Sequence, residues 1–113
     1  MKPTRYLIII SLTSIGHVSK AGDFSVDDNT YLKNIISHVR SCLTEPETIL
    51  AGRTSIFAGM APKTATEIFR GIATVLRSGD VIHVVEIGQN CTTTHQAFNS
   101  WLLNTGWLVA KDS

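Results

Sequence analysis

The chain has 113 residues, 43% hydrophobic and 17% charged, with a formal net charge of +1. That is the size of one domain, long enough to bury a core without disulfide or metal staples. The near-neutral balance excludes the overall basic excess of a dedicated nucleic-acid binder, although it leaves room for a local basic patch, and no apolar run is long enough to span a bilayer. We therefore expect one cytoplasmic domain over residues 1–113, with no membrane contact and no cofactor. Cys42 and Cys91 form one disulfide or remain two thiols; buried thiols are the expectation, and neither cysteine has a metal-ligand partner at suitable spacing.

The opening stretch "MKPTRYLIIISLTSIGHVSKAG" reads in two ways. Lys2, Arg5, a short apolar run and small residues ending at Ala21 have the order of a secretory signal. Residues 6–12 equally have the make-up of a first β-strand, and Ser11, Thr13 and Ser14 interrupt the apolar run. We expect the strand. It is apolar on both alternating faces, the pattern of a central strand covered on both sides. Residues 13–26 follow as a long loop.

"DDNTYLKNIISHVRSCL" reads as a helix, with Leu32, Ile35, Ile36, Val39 and Leu43 on one face and Asp27 and Asp28 at its start. Pro46 forbids its continuation. Two short strands are predicted at 48–50 and 54–58, turning at Gly52. "PKTATEIFRGIATVLRSGD" is the second helix. Thr64 and Glu67 make a capping box; Ile68, Phe69, Ile72, Val75 and Leu76 make the buried stripe. Gly79 is placed as its left-handed cap. Gly71 inside the helix costs about 1 kcal/mol against Ala, so a close neighbour is expected there. "VIHVVEI" is the next strand. "TTTHQAFNSWLLNTG" is a last helix, boxed by Thr93 and Gln96, ended by Gly106, with Phe98, Trp101 and Leu102 on its apolar side. "WLVA" is predicted as a short edge strand, and Trp101 and Trp107 as packing this end onto the sheet.

The order β-α-β-β-α-β is the split βαβ arrangement, so the expected class is α+β: a ferredoxin-like sheet with a C-terminal helix and short strand. Both long helices then lie on one sheet face, and the other face needs a cover. A homodimer is the simplest cover; the final helix is the competitor.

"TRYLIIISL" and "TSIFAGMAPKTATEIFRGIATVLRSGDVIHVVEIGQN" resemble the SinR-like proteins, small ferredoxin-like relatives of the CRISPR-associated adaptation endoribonucleases. The resemblance covers roughly residues 4–12 and 54–90. It rests on hydrophobic pattern with Asp80, Glu86 and Gly88. It implies the fold, a dimer and an association with nucleic acid. The nuclease relatives carry an acidic residue at the end of the first strand for a shared metal. Here Ser11 and Leu12 stand in that neighbourhood, with no carboxylate before Asp23. A hard cation such as Mg²⁺ needs carboxylate oxygens, so the metal-nuclease site is not expected to be intact.

His83 and Glu86 are three apart on a strand and point to opposite faces. They are expected to mark what each face meets, with His83 as a general base in a dimer cleft as the sharper reading. His17, Lys20 and Asp23 are expected to be the solvated content of the long loop, with closure over a phosphate as the sharper reading. His38 and His95 are read as surface residues. Lys63, Arg70 and Arg77 would form a basic row along the second helix, with Arg40 adding from the first; such a row suits a phosphate backbone of RNA or DNA. The expected function is a small dimeric interaction module associated with nucleic acid. The alternative is a metal-dependent nuclease working at a dimer cleft.

Overall fold

A computed structural model describes residues 3–16, 24–88 and 94–105. Within them the chain runs β1 (Thr4–Ser11), α1 (Val26–Ser41), β2 (Thr44–Leu50), β3 (Thr54–Ala61), α2 (Ala65–Ala73), β4 (Val81–Glu86) and α3 (Gln96–Asn104). The four strands form one sheet in the order β2-β3-β1-β4, and every neighbouring pair is antiparallel. The architecture is α+β. The predicted strand at 107–110, Trp107, Cys91, Thr93 and Gly106 lie outside the described residues.

β1 is central, as its doubly apolar pattern requires. Tyr6, Ile8, Ile10 and then Leu12 alternate onto one face. There they meet Phe57 and Ala61 of β3, Ile35 and Val39 of α1, Leu43 just past it, and Ile68 and Ile72 of α2. Ile8, Ile10, Ile35, Phe57 and Ile72 are fully buried, each contributing about 1.5–3 kcal/mol. Tyr6 also donates its hydroxyl to the Lys63 carbonyl, tying the start of β1 to the entry of α2.

The opposite face is covered in part by α3. Leu7, Ala58, Met60, Ile49 and Ile87 pack with Phe98, Trp101 and Leu102. The Trp101 indole N–H donates to the Glu45 carbonyl at 2.6 Å, and the Arg5 guanidinium donates to Thr105. Glu45 holds a left-handed φ of 51° at this clamp. The final helix therefore takes one half of the face for which a twin subunit was the simplest expected cover. Ile9 and Ile56, paired in register, lie in the other half with Leu50, Val81 and Val85, which are 48, 43 and 48% exposed.

The second helix is shorter than its hydrophobic pattern predicts. The capping box forms: the Glu67 N–H donates to Thr64 Oγ1, and the Thr64 N–H donates to the Glu67 carboxylate. The helix then ends at Ala73. Val75 and Leu76 continue in tighter turns, donating to the carbonyls three residues back, and Thr74 donates its hydroxyl to the Gly71 carbonyl. Gly79 does hold a positive φ of 92°, but in the turn before β4, not as a helix cap. Phe69, placed in the buried stripe by periodicity, is 43% exposed.

β2 is longer than predicted and takes in Pro46. An edge strand tolerates proline because its outward side needs no donor, and β2 carries register irregularities on both sides of its Glu47–Thr48 step. α1 is capped by Ser25, whose hydroxyl accepts from the Asp28 N–H. α3 is capped by His95, whose ring accepts from the Phe98 N–H. His38 is not on the outer side of its helix: Nε2 lies 2.9 Å from the Gly71 carbonyl, joining α1 to α2.

The close approach expected at Gly71 occurs at Gly59 instead. A Cβ added at Gly59 would meet Leu43 Cδ1 at 2.5 Å and Leu43 Cβ at 2.7 Å, whereas one at Gly71 meets nothing within 4 Å. Because Leu43 Cβ itself is in the way, rotamer change cannot relieve the clash. Urea denaturation is expected to show Gly59→Ala destabilised by about 1–3 kcal/mol and Gly71→Ala stabilised by up to about 1 kcal/mol.

Candidate functional site

The densest polar cluster lies where β1 ends, against the first turns of α1 and the connection into β4. Asp80, the residue before β4, is its centre. Its carboxylate accepts from the Ser14 N–H at 2.7 Å, the Ser14 hydroxyl at 2.8 Å and the Tyr31 hydroxyl. The Thr13 hydroxyl lies 3.3 Å from Asp80 and donates at 2.7 Å to the Gly79 carbonyl. Tyr31 accepts in turn from the Arg77 N–H at 2.6 Å. The Arg77 guanidinium stacks 4.0 Å above the Tyr31 ring and bonds Asp28 at 2.9 Å. The other Asp28 oxygen accepts from the Gly16 N–H at 3.0 Å.

Local sequence explains each placement. Ser25 starts α1, so Asp28 falls in its first turn beside the helix N-terminus. Tyr31 follows one turn later on the side facing the sheet, four residues before the buried Ile35. The loosened end of α2 turns Arg77 back across α1. Gly79, with its left-handed φ, aims Asp80 at the end of β1.

The electrostatics follow from these bonds. Burial alone would raise the Asp80 carboxyl; the Tyr31 hydroxyl and the two Ser14 donors outweigh it and hold the group below the usual carboxylate range. The Arg77 guanidinium and the Gly16 N–H lower Asp28, while the bond to Asp28 raises Arg77. Burial raises the Tyr31 phenol, which stays neutral and able to donate. A carboxylate has about four lone-pair sites. Asp80 has three of them filled firmly by its own chain, so the cluster is built as a tie between segments. Among the described residues, no three His, Cys, Asp or Glu side chains converge to hold a metal ion.

The residues singled out by sequence do not come together. His83 stands opposite Ile9 on the half-open sheet face, and Glu86 stands opposite Tyr6 on the helix-bearing face. Both are exposed. His17, Lys20 and Asp23 lie outside the described residues. The basic row along the second helix is corrected. Its seven-residue spacing needs a helix reaching residue 77, but α2 stops at Ala73. Arg77 is drawn away to Asp28 and Tyr31. Arg40 reaches Thr48 on β2 at 3.0 Å, at the sheet edge remote from β4, against which α2 packs. Lys63 and Arg70 remain exposed at α2.

Asp28, Tyr31, Ser14 and Asp80 were not read as a unit from sequence. Tyr31 carried the available signal: a hydroxyl one turn from the apolar stripe of a helix needs a partner when half-buried. Comparison with family models, with curated proteins and with solved structures gives no match for this chain.

The two lowered carboxylates of this cluster, with Glu67 lowered by its Thr64 donors, contribute to the acid response. A carboxyl whose folded pKa lies below its unfolded value of about 3.9 stabilises the fold above that value and loses the contribution as pH falls through the lowered one. Asp80→Asn is expected to be less stable at pH 7 by about 1–2 kcal/mol. It should also lose less stability than the parent between about pH 4 and pH 2, as read by thermal unfolding across pH. Tyr31→Phe, which strands both Asp80 and the Arg77 N–H, is expected to cost about 1–2 kcal/mol at pH 7.

Proposed function

We propose that this chain is a ferredoxin-like interaction module that works as a homodimer and does no catalysis of its own. The fold reading is supported by the element order β-α-β-β-α-β and the antiparallel order β2-β3-β1-β4. A split βαβ unit combines these features when each crossover skips one strand. The likeness to SinR-like proteins adds to this reading over residues 4–12 and 54–90.

One observation carries the dimer. Three of the large exposed apolar side chains flank the β4 edge: Val81 and Val85, 43 and 48% exposed on the half-open face, and Phe69 of α2, 43% exposed beside Val84 on the helix-bearing face. Large exposed apolar side chains collected in one place mark an interaction surface more often than a solvated one. The non-catalytic reading is supported by the cluster at the end of β1, where Asp80 and Asp28 are committed to donors of their own chain. The nucleic-acid association is supported more narrowly, by exposed Lys63 and Arg70 and by the resemblance.

Sedimentation equilibrium is expected to give twice the chain mass at micromolar concentration, and a monomer at all concentrations would overturn the dimer. Labelled RNA and DNA incubated with the protein and Mg²⁺ or Mn²⁺ are expected to remain intact. Cleavage that disappears in Asp80→Asn or His83→Ala would restore the nuclease alternative.

A further inference from the structure

We infer that the outer edge of β4 is the dimer contact, and that a second copy pairs its own β4 there in antiparallel register about a twofold axis at His83. This rests on the homodimer reading above and names the surface that would make it.

The two sheet edges differ. β2 carries Pro46, Glu45, Glu47 and irregular register, devices that blunt an edge against pairing. β4 has no proline and no register shift, and its one charged residue, Glu86, stands at its end. It pairs with β1 over six consecutive residues without a register shift, and among the described residues nothing pairs with its outer side. The Ile87 N–H donates inward to the Arg5 carbonyl. Antiparallel strands alternate inward and outward residues, so Val81, His83 and Val85 bond β1 and the backbone groups of Ile82 and Val84 face outward.

The strand is close to a palindrome. In "VIHVV", residues 81–85, a twofold axis at His83 sets Val81 opposite Val85 and Ile82 opposite Val84. Such an axis, normal to the sheet, keeps each face on its own side, so every opposed pair shares a face. The backbones of Ile82 and Val84 then exchange hydrogen bonds, and the two His83 meet as a non-hydrogen-bonded pair. No carboxylate, ammonium or guanidinium falls within these five positions, so self-pairing opposes no like charges there. At the ends Glu86 stands opposite Asp80, the one like-charge opposition of the pairing, outside the five central positions. Self-pairing of β2 would bring its glutamates together instead.

The surface beside the edge fits the same partner. Ala65, Thr66 and Phe69 of α2 line a shallow groove with Val84, and Phe69, Ala73 and Leu76 line another with Val81 and Ile82. Pairing of β4 with β4 brings the two α2 helices side by side and covers Phe69.

Non-hydrogen-bonded pairs have Cα atoms about 4.5 Å apart, within disulfide reach; residues two pairs off the axis do not. The test places one cysteine at a time in the full chain carrying Cys42→Ser and Cys91→Ser. Under mild oxidation His83→Cys is expected to give a covalent dimer, at least tenfold faster than Val85→Cys. Phe69→Glu is expected to weaken the wild-type dimer at least tenfold in sedimentation while the circular dichroism stays unchanged. A protein that is dimeric by mass but crosslinks no faster at 83 than at 85 would overturn the β4 contact and leave the dimer reading standing. A protein monomeric by mass would overturn both.

Discussion

The structure depends on β1 being apolar on both faces. A strand of this kind has no stable place at a sheet edge or on a wet face, so two neighbouring strands and a cover on each side become obligatory. Flanking strands come from β3 and β4. α1 and α2 supply one cover in full and bury Ile8, Ile10 and Phe57 completely. Among the described residues the other cover is a nine-residue helix, α3, which reaches Leu7 and Ala58. Ile9, Ile56, Val81 and Val85 are what this shortfall leaves open. The apolar surface around β4 is thus a consequence of the first strand's composition.

The polar cluster at the end of β1 is the counterpart of that core. Apolar packing fixes which faces meet but says little about where three chain segments end. Asp80 fixes the ends: it holds Ser14 after β1, reaches α1 through Tyr31, and itself begins β4. Arg77 closes the circuit by binding Asp28 and covering the Tyr31 ring. Hydrogen bonds to a charged acceptor contribute more than neutral ones, and here they join segments far apart in sequence. The same bonds commit most of the acceptor capacity of Asp80 and Asp28 to their own chain.

Much of the fold was legible because period-2 and period-3.6 patterns are written locally. The stripe of α1 and the Thr64–Glu67 box were found at their observed places. What failed depended on contacts. Periodicity carried α2 four residues too far, because Val75 and Leu76 are apolar in a turn as they would be in a helix. That error created the Arg70–Arg77 row, which the true helix end dissolves. Gly71 looked crowded and is open, whereas Gly59 looked like any strand glycine and lies under Leu43. The Asp80 cluster was invisible as a unit because its members are up to 67 residues apart. Only their individual capping and strand-start roles showed in sequence. His83 changed meaning most: among the described residues no acid bonds it, yet it sits at the centre of a nearly palindromic strand.

The central claim is that the unpaired outer edge of β4 is closed by a second copy. Amide hydrogen exchange along β4 tests it most directly, because alternate amides point to different partners. The His83 and Val85 amides face β1 and should be protected at every protein concentration. The Ile82 and Val84 amides face outward. The expected result is that these two exchange freely in dilute protein and become protected as concentration rises through the dimer transition. Free exchange at Ile82 and Val84 at every concentration would contradict the account.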